Sequence, residues 1–141
     1  MPPVREEDAF AVLRGEGVRS WRRLVPTSEH PARATLKGAR FHLKKRQVVD
    51  ISLGGVSLAL RRRDQRRLQI SDTVHIELDL NGMPLILQGK LVHIQIREGW
   101  LRNDVSIGLV FDNNLSFNHA RPRLARYLIQ LAQAERVTAA K

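Results

Sequence analysis

The chain contains no cysteine. That excludes disulfides, thiolate nucleophiles and every cysteine-containing zinc site, and it leaves the compartment open. No run approaches the roughly 18 consecutive apolar residues of a membrane-spanning helix, and Glu6, Glu7, Asp8 and Arg14 interrupt the stretch where a signal-peptide core would have to lie. A soluble, cytoplasmic protein without a membrane span is expected. Aromatic residues make up only 5% of the chain, and Trp21, Trp100 and Tyr127 do not cluster within any strand-like run, so stacking platforms for bases are scarce. The five histidines, His30, His42, His75, His93 and His119, show no HxH or HExxH spacing, and no metal is expected. Neither GxSxG nor a Walker loop occurs, and Ser52 has no base near it in sequence. An enzyme is disfavoured.

What the chain does have is positive charge. Lys and Arg number 24 against 14 Asp and Glu, a formal net charge of +10 over 141 residues. Such a surface attracts phosphates, nucleic acid or acidic protein faces, although net charge alone also serves plain solubility. With 43% hydrophobic side chains the length suits one domain with a real core.

Between Ala32 and Phe111 apolar residues alternate with polar ones. Val74, Ile76, Leu78 and Leu80 fall at every second position, as do Val105, Ile107, Leu109 and Phe111, the set Val56, Leu58 and Leu60, and the set Val92, Ile94 and Ile96. Period two is the pattern of a strand with one buried face. Lys37-Gly38, Leu53-Gly54-Gly55 and Asn81-Gly82 supply turns between them, and Arg97-Glu98-Gly99 with Arg102-Asn103-Asp104 reads as a further turn region. Short antiparallel strands with no helix between them predict a closed or nearly closed barrel, which also removes exposed edges. The basic run Arg61 to Arg67 is placed outside the core, as a loop or helical turn. After Phe111 the period changes: Leu124, Leu128 and Leu131, with Tyr127 beside them, predict an amphipathic helix from Pro122 to about Val137, with Pro122 in its first turn and its apolar stripe packed on the barrel or on a partner. Arg5 to Leu13 could form a short helix, ended by Gly15 and Gly17.

Two short motifs carry the chemistry. Arg19-Ser20-Trp21-Arg22-Arg23 places arginines four residues apart around an aromatic, and Asp50-Ile51-Ser52-Leu53-Gly54-Gly55 joins two predicted strands. Together they resemble the RxxxR and (D/N)xSxxG signature of PilZ domains, a family of cyclic di-GMP receptors. The resemblance covers about Val18 to Glu135, includes Ser106 to Phe111 as the family's last strand, and looks closest to the C-terminal domains of flagellar-brake proteins. It implies a mainly β fold, a six-stranded antiparallel β-barrel of the split-barrel type with a C-terminal α-helix. The implied organisation is an N-terminal extension over 1–17, the barrel with its RxxxR arm over 18–113, and the helix and tail over 114–141.

The resemblance implies that Arg19, Arg23, Asp50, Ser52, Gly54 and Gly55 bind cyclic di-GMP, with Arg22 and Val18 in secondary positions, and that no metal takes part. Guanidinium groups suit such a ligand because they fork onto phosphate oxygens and stack on purines. A carboxylate such as that of Asp50 can accept from the N1 and N2 donors of guanine, while Gly54 and Gly55 would let the backbone turn sharply and approach a flat ligand. The family often has a further basic residue before RxxxR. Here Val18 takes that place, which favours one bound nucleotide over an intercalated pair. Residues Gly17 to Pro26 are expected to be mobile and to clamp the nucleotide, relaying the signal to a protein effector of the flagellar, pilus or polysaccharide-synthesis kind. A monomer or weak homodimer is expected. Two alternatives stand beside this reading: a basic barrel binding nucleic acid non-specifically, supported mainly by Arg61 to Arg67, and a nucleotide-independent adaptor of the same fold. The arginine pair and the DxSxxG turn weigh against both.

Overall fold

Each run of period two becomes a strand, and the strands close on themselves. The computed structural model describes residues 12–14, 21–96 and 105–139. In chain order these form β1 (Ala32–Lys37), β2 (His42–Ile51), β3 (Gly55–Leu60), a 3₁₀ turn (Arg62–Arg67), β4 (Thr73–Leu80), β5 (Met83–Ile96), β6 (Val105–Phe111) and α1 (Leu115–Ala139). The six strands make a closed barrel in the order β1-β2-β3-β6-β5-β4, every pair antiparallel. Closure leaves no edge strand to pair with another chain. The expected six-stranded barrel with a C-terminal helix is the fold found.

Inward-facing Leu36, Leu58, Leu60, Ile76, Leu78 and Leu87 are fully buried or nearly so and fill the interior. Each such side chain contributes about 1.5–3 kcal/mol by leaving water. The β4–β5 hairpin turns on Asn81 (φ 54°) and Gly82 (φ 90°), the left-handed pair that a two-residue turn between twisted strands requires. Asp79 Oδ1 accepts from the Gly82 amide at 2.7 Å and fixes it.

Two expectations need correction. The helix starts at Leu115, seven residues before Pro122, which lies inside it. Asn114 caps it: its Oδ1 accepts from the Phe117 amide at 3.0 Å and its carbonyl accepts from the Asn118 amide at 3.0 Å. Pro122 has no N–H to offer the carbonyl of Asn118, but Asn118 is exposed, so water can satisfy that group. The stripe of α1, with Leu124, Tyr127, Leu128 and Leu131, is buried against the barrel, chiefly β5. Second, Val92, Ile94 and Ile96 are not a buried face: Val92 and Ile96 are about half exposed, while Leu85, Leu87 and Leu91 point inward on the same strand. An extra residue in β5, described next, puts Val92 on the opposite face from Ile94 and Ile96. The proposed turns at Arg97-Glu98-Gly99 and Arg102-Asn103-Asp104, and most of the Arg5 to Leu13 segment, lie outside the described residues.

Candidate functional site

Two bulges place polar side chains on the outside of the barrel. In β2, Val48 pairs with Leu58 and Asp50 with Ser57, so Val49 is extra. In β5, Leu91 pairs with Leu109 and His93 with Gly108, so Val92 is extra. An inserted residue resets the in-out alternation. Were the same residues paired without a bulge, strict alternation from Val48 would turn Asp50 inward and Ile51 outward. With it Val49 and Asp50 both face out and Ile51 is buried. The same shift in β5 leaves His93 outward beside Val92 and turns Ile94 toward the interior. Because Ser57 pairs with Gly108, the register then runs Asp50, Ser57, Gly108, His93 straight across β2, β3, β6 and β5. Gly108 leaves the middle of that row bare.

The arm docks at the end of this row. Leu24 is fully buried, and Leu24 and Ile51 exchange both backbone hydrogen bonds at 2.9 Å. The Arg22 amide donates to the Leu13 carbonyl at 2.7 Å, tying the arm in turn to a buried leucine upstream. Pinning Leu24 antiparallel to Ile51 sets Arg23 opposite Ser52, and both line one cleft with Asp50. Releasing Leu24 would expose a core side chain at a cost of about 1.5–3 kcal/mol and break two ladder bonds.

The turn between β2 and β3 is held by its serine. Ser52 is 8% exposed, and its Oγ accepts from the amides of Gly54 at 3.1 Å and Gly55 at 3.2 Å, while its own amide donates to the Gly55 carbonyl at 2.9 Å. The glycines matter for room. Among the described residues Gly82 is the glycine with positive φ, so neither Gly54 nor Gly55 is required by a left-handed backbone. A Cβ on Gly55 would lie 2.1 Å from the Leu109 carbonyl oxygen of β6, and one on Gly54 would lie 3.0 Å from Trp21 Cδ1. Gly55 lets two strands meet, and Gly54 makes space for an indole.

These elements enclose an open cleft of about 670 Å³, lined among others by Trp21, Arg23, Asp50, Ser57, His93 and Arg121, with the Ser52–Gly55 turn at its edge. The start of α1 closes one side through Phe117, whose ring lies 6.2 Å from that of Phe111 at 34°. Exposed Val92 and Val110 add apolar surface. The arrangement offers guanidinium, carboxylate and hydroxyl groups around flat apolar patches, a combination suited to a small anionic ligand with planar rings.

Of the site residues expected from the sequence, Arg23, Asp50, Ser52, Gly54 and Gly55 line this one cleft. Arg22 instead forms an ion pair with Glu135 near the end of α1. Arg19 and Val18 lie outside the described residues. His93, Ser57, Phe117 and Arg121 were not anticipated. The three-residue spacing of inward side chains, Val48 to Ile51 and Leu91 to Ile94, was the available signal for the bulges; nothing in the sequence marked Arg121. Among the described residues no group of three or more acidic or histidine side chains could hold a metal ion, and no helix is long and apolar enough to cross a membrane.

The family model of the PilZ domain matches residues 18–130. No match is found among curated proteins. Of solved structures, the chain is similar to the PilZ domain with c-di-GMP of YcgR from Escherichia coli, at 20% identity and a TM-score of 0.65, covering 89% of this chain and 99% of that one. It is also similar to the MrkH–c-di-GMP complex of K. pneumonia, at 16% identity and a TM-score of 0.65 over 84% of this chain and 56% of that one. The Bacillus subtilis inhibitor of motility (MotI/DgrA) aligns at 11% identity and a TM-score of 0.56, over 81% of this chain and 55% of that one.

Proposed function

Because this chain belongs to the PilZ domain family, we propose that it is a receptor for cyclic di-GMP that holds the nucleotide in the cleft between its N-terminal arm and the β2–β3 turn. The observation that carries the reading is the convergence of Arg23, Asp50 and the Ser52–Gly55 turn, distant in sequence, on one cleft. Two similar solved structures, each a complex with c-di-GMP, support it.

In this reading Arg23, joined by Arg19 of the same motif, forks onto phosphate or stacks on guanine, and Asp50 accepts from the guanine N1 and N2 donors. Ser52 acts by building the turn, Gly54 by admitting Trp21 and Gly55 by admitting β6. Arg121 and His93 offer further polar contacts from the opposite wall. Four to six charge-assisted hydrogen bonds at about 1.5–3 kcal/mol each exceed the roughly 8 kcal/mol of a micromolar complex, leaving a surplus for ordering side chains. A cleft of about 670 Å³ lies within the range of about 300–1,000 Å³ that encloses one small ligand. One nucleotide per chain is proposed, consistent with Val18 where a further basic residue is common. The bound state is relayed to a protein effector in the cytoplasm, of the flagellar, pilus or polysaccharide-synthesis kind, and the protein performs no catalysis itself.

Calorimetric titration with cyclic di-GMP tests the proposal. The native chain should bind one equivalent in the micromolar range or tighter, and Arg23→Ala and Asp50→Ala should each weaken binding by more than about tenfold, since each leaves a ligand group unpaired. A native chain giving no binding heat at high micromolar nucleotide would overturn it.

A further inference from the structure

At the far end of β2 and β3, beginning roughly 13 Å along the strand from Asp50 at Arg46 and reaching roughly 26 Å at His42, at about 3.3 Å per residue, lies a second cleft. It has a volume of about 380 Å³ and is formed by the start of β2 and the 3₁₀ turn Arg62–Arg67. Arg46, Arg63, Arg66, Arg67 and His42 line it together with one carboxylate, Asp64. Between Arg40 and Arg67 the chain carries nine Lys and Arg residues against two Asp.

The turn that presents these arginines is fixed. Asp64 accepts from the Arg61 amide at 3.2 Å and pairs with Arg46 at 3.3 Å, and Leu60 and Leu68 anchor the turn's two ends in the core. Arg46 and Asp64 thus offset each other, which leaves the exposed guanidinium groups of Arg63, Arg66 and Arg67 with no carboxylate left in the cleft lining to neutralise them. Next to the cleft a bulge in β2, Lys45 at φ 48° with its amide bonded to Thr35 Oγ1 at 3.1 Å, turns Lys44 and Lys45 outward together.

We propose that this cleft is a docking site for an acidic segment of a protein partner, with Arg63, Arg66 and Arg67 engaging its carboxylates. Arginine forks match carboxylates in bidentate geometry, and a concave pocket admits side chains where a duplex backbone would bridge it. The apolar lining residues, Phe41 and Leu43, are 8% and 6% exposed, so the site offers no accessible phenyl ring and no apolar side chain for insertion into a bilayer, and the imidazole of His42 is the exposed ring in its lining. The barrel is closed, so a partner cannot add a strand and must be held through side chains. The proposal stands apart from the nucleotide reading, since the two clefts share no lining residue.

The test is fluorescence anisotropy of a labelled glutamate-rich peptide titrated with the full chain at physiological salt, beside a single-stranded oligonucleotide of equal charge and vesicles of phosphatidylglycerol and phosphatidylcholine. The peptide should bind more tightly than either. Arg63→Glu/Arg67→Glu should weaken it by about tenfold or more, and the Gln pair at the same positions by less. Arg123→Glu/Arg126→Glu, an equal charge change on the exposed face of α1, should leave it within about threefold. No peptide binding, an equal loss in the two Glu pairs, or tighter binding of oligonucleotide or vesicles would each overturn the proposal. Cyclic di-GMP titration of the same chains reads the other site separately and should be unchanged by either pair.

Discussion

Tyr127 is 2% exposed, and its hydroxyl donates to the His30 carbonyl at 2.6 Å, fastening the helix to the Thr27–His30 turn that follows the arm. Burial pushes its pKa up to about 12 from an ordinary 10.0. An acid whose folded pKa is raised is stable in its neutral form. Its contribution is fully present below the unfolded value and is lost as pH rises from about 10 towards 12. Tyr127→Phe should therefore cost about 1 kcal/mol near neutrality and narrow the stability gap to the native chain in that alkaline window, as chemical denaturation across the pH range would measure. The two turn glycines make a sharper contrast. Gly55→Ala drives a Cβ into a backbone carbonyl that cannot swing aside, so a loss of about 3 kcal/mol or more is expected. Gly54→Ala presses only on the indole of Trp21. Its melting temperature should hardly change, while its nucleotide affinity falls, because Trp21 lines the cleft.

At the scale of elements, bulges decide the site. The strands were legible because alternation is a direct consequence of one buried face; four such runs with tight turns and no helix between them pointed to a barrel, and the count of six strands came from the family resemblance. The phase breaks at Val49 and Val92 were harder to see, since a run such as Val48-Val49-Asp50-Ile51 satisfies no single alternation. The helix start differs because Pro122 fits a first turn, yet the Asn114 cap prevails: burial of Phe117 and Ala120 before the proline and Leu124 and Ala125 after it outweighs the backbone bond the proline removes. Deleting Val49 gives an informative variant. Val49 is 40% exposed and unpaired in the β2–β3 register, so its loss leaves Val48 and Ile51 pointing inward and the ladder intact. Stability should change by only about 1 kcal/mol. The bend that aims Asp50 disappears with it, so calorimetry should show nucleotide affinity falling by more than about tenfold. Unchanged affinity would mean that the bulge does not position the carboxylate.

At the scale of the molecule, arm, barrel and helix are one body. Leu13 and Leu24 from the N-terminal segment, Leu58 and Ile76 from the barrel, and Leu124 and Leu128 from α1 belong to a single buried cluster. The Arg22–Glu135 pair spans from arm to helix outside it. That pair is about 39% and 45% exposed and adds little stability; the shared core does the joining. The sequence made the motif residues visible but not this docking, because Leu24 is one leucine in a polar stretch and carries no periodicity of its own. A ligand seated between Arg23, Asp50 and Arg121 would touch all three parts, so it should stabilise them together. At one hundred times the dissociation constant, linkage adds about 2.7 kcal/mol, enough to raise the melting temperature by roughly 5–10 °C for a chain of this length. Calorimetric scans should show one transition that moves intact with cyclic di-GMP in the native chain and in Glu135→Ala, and moves by about half as much or less at the same nucleotide concentration in Asp50→Ala. A separate low-temperature transition that vanishes when nucleotide is added would mean instead that the arm folds onto the barrel only with its ligand, and that the Leu24–Ile51 pair is too weak to hold it there alone.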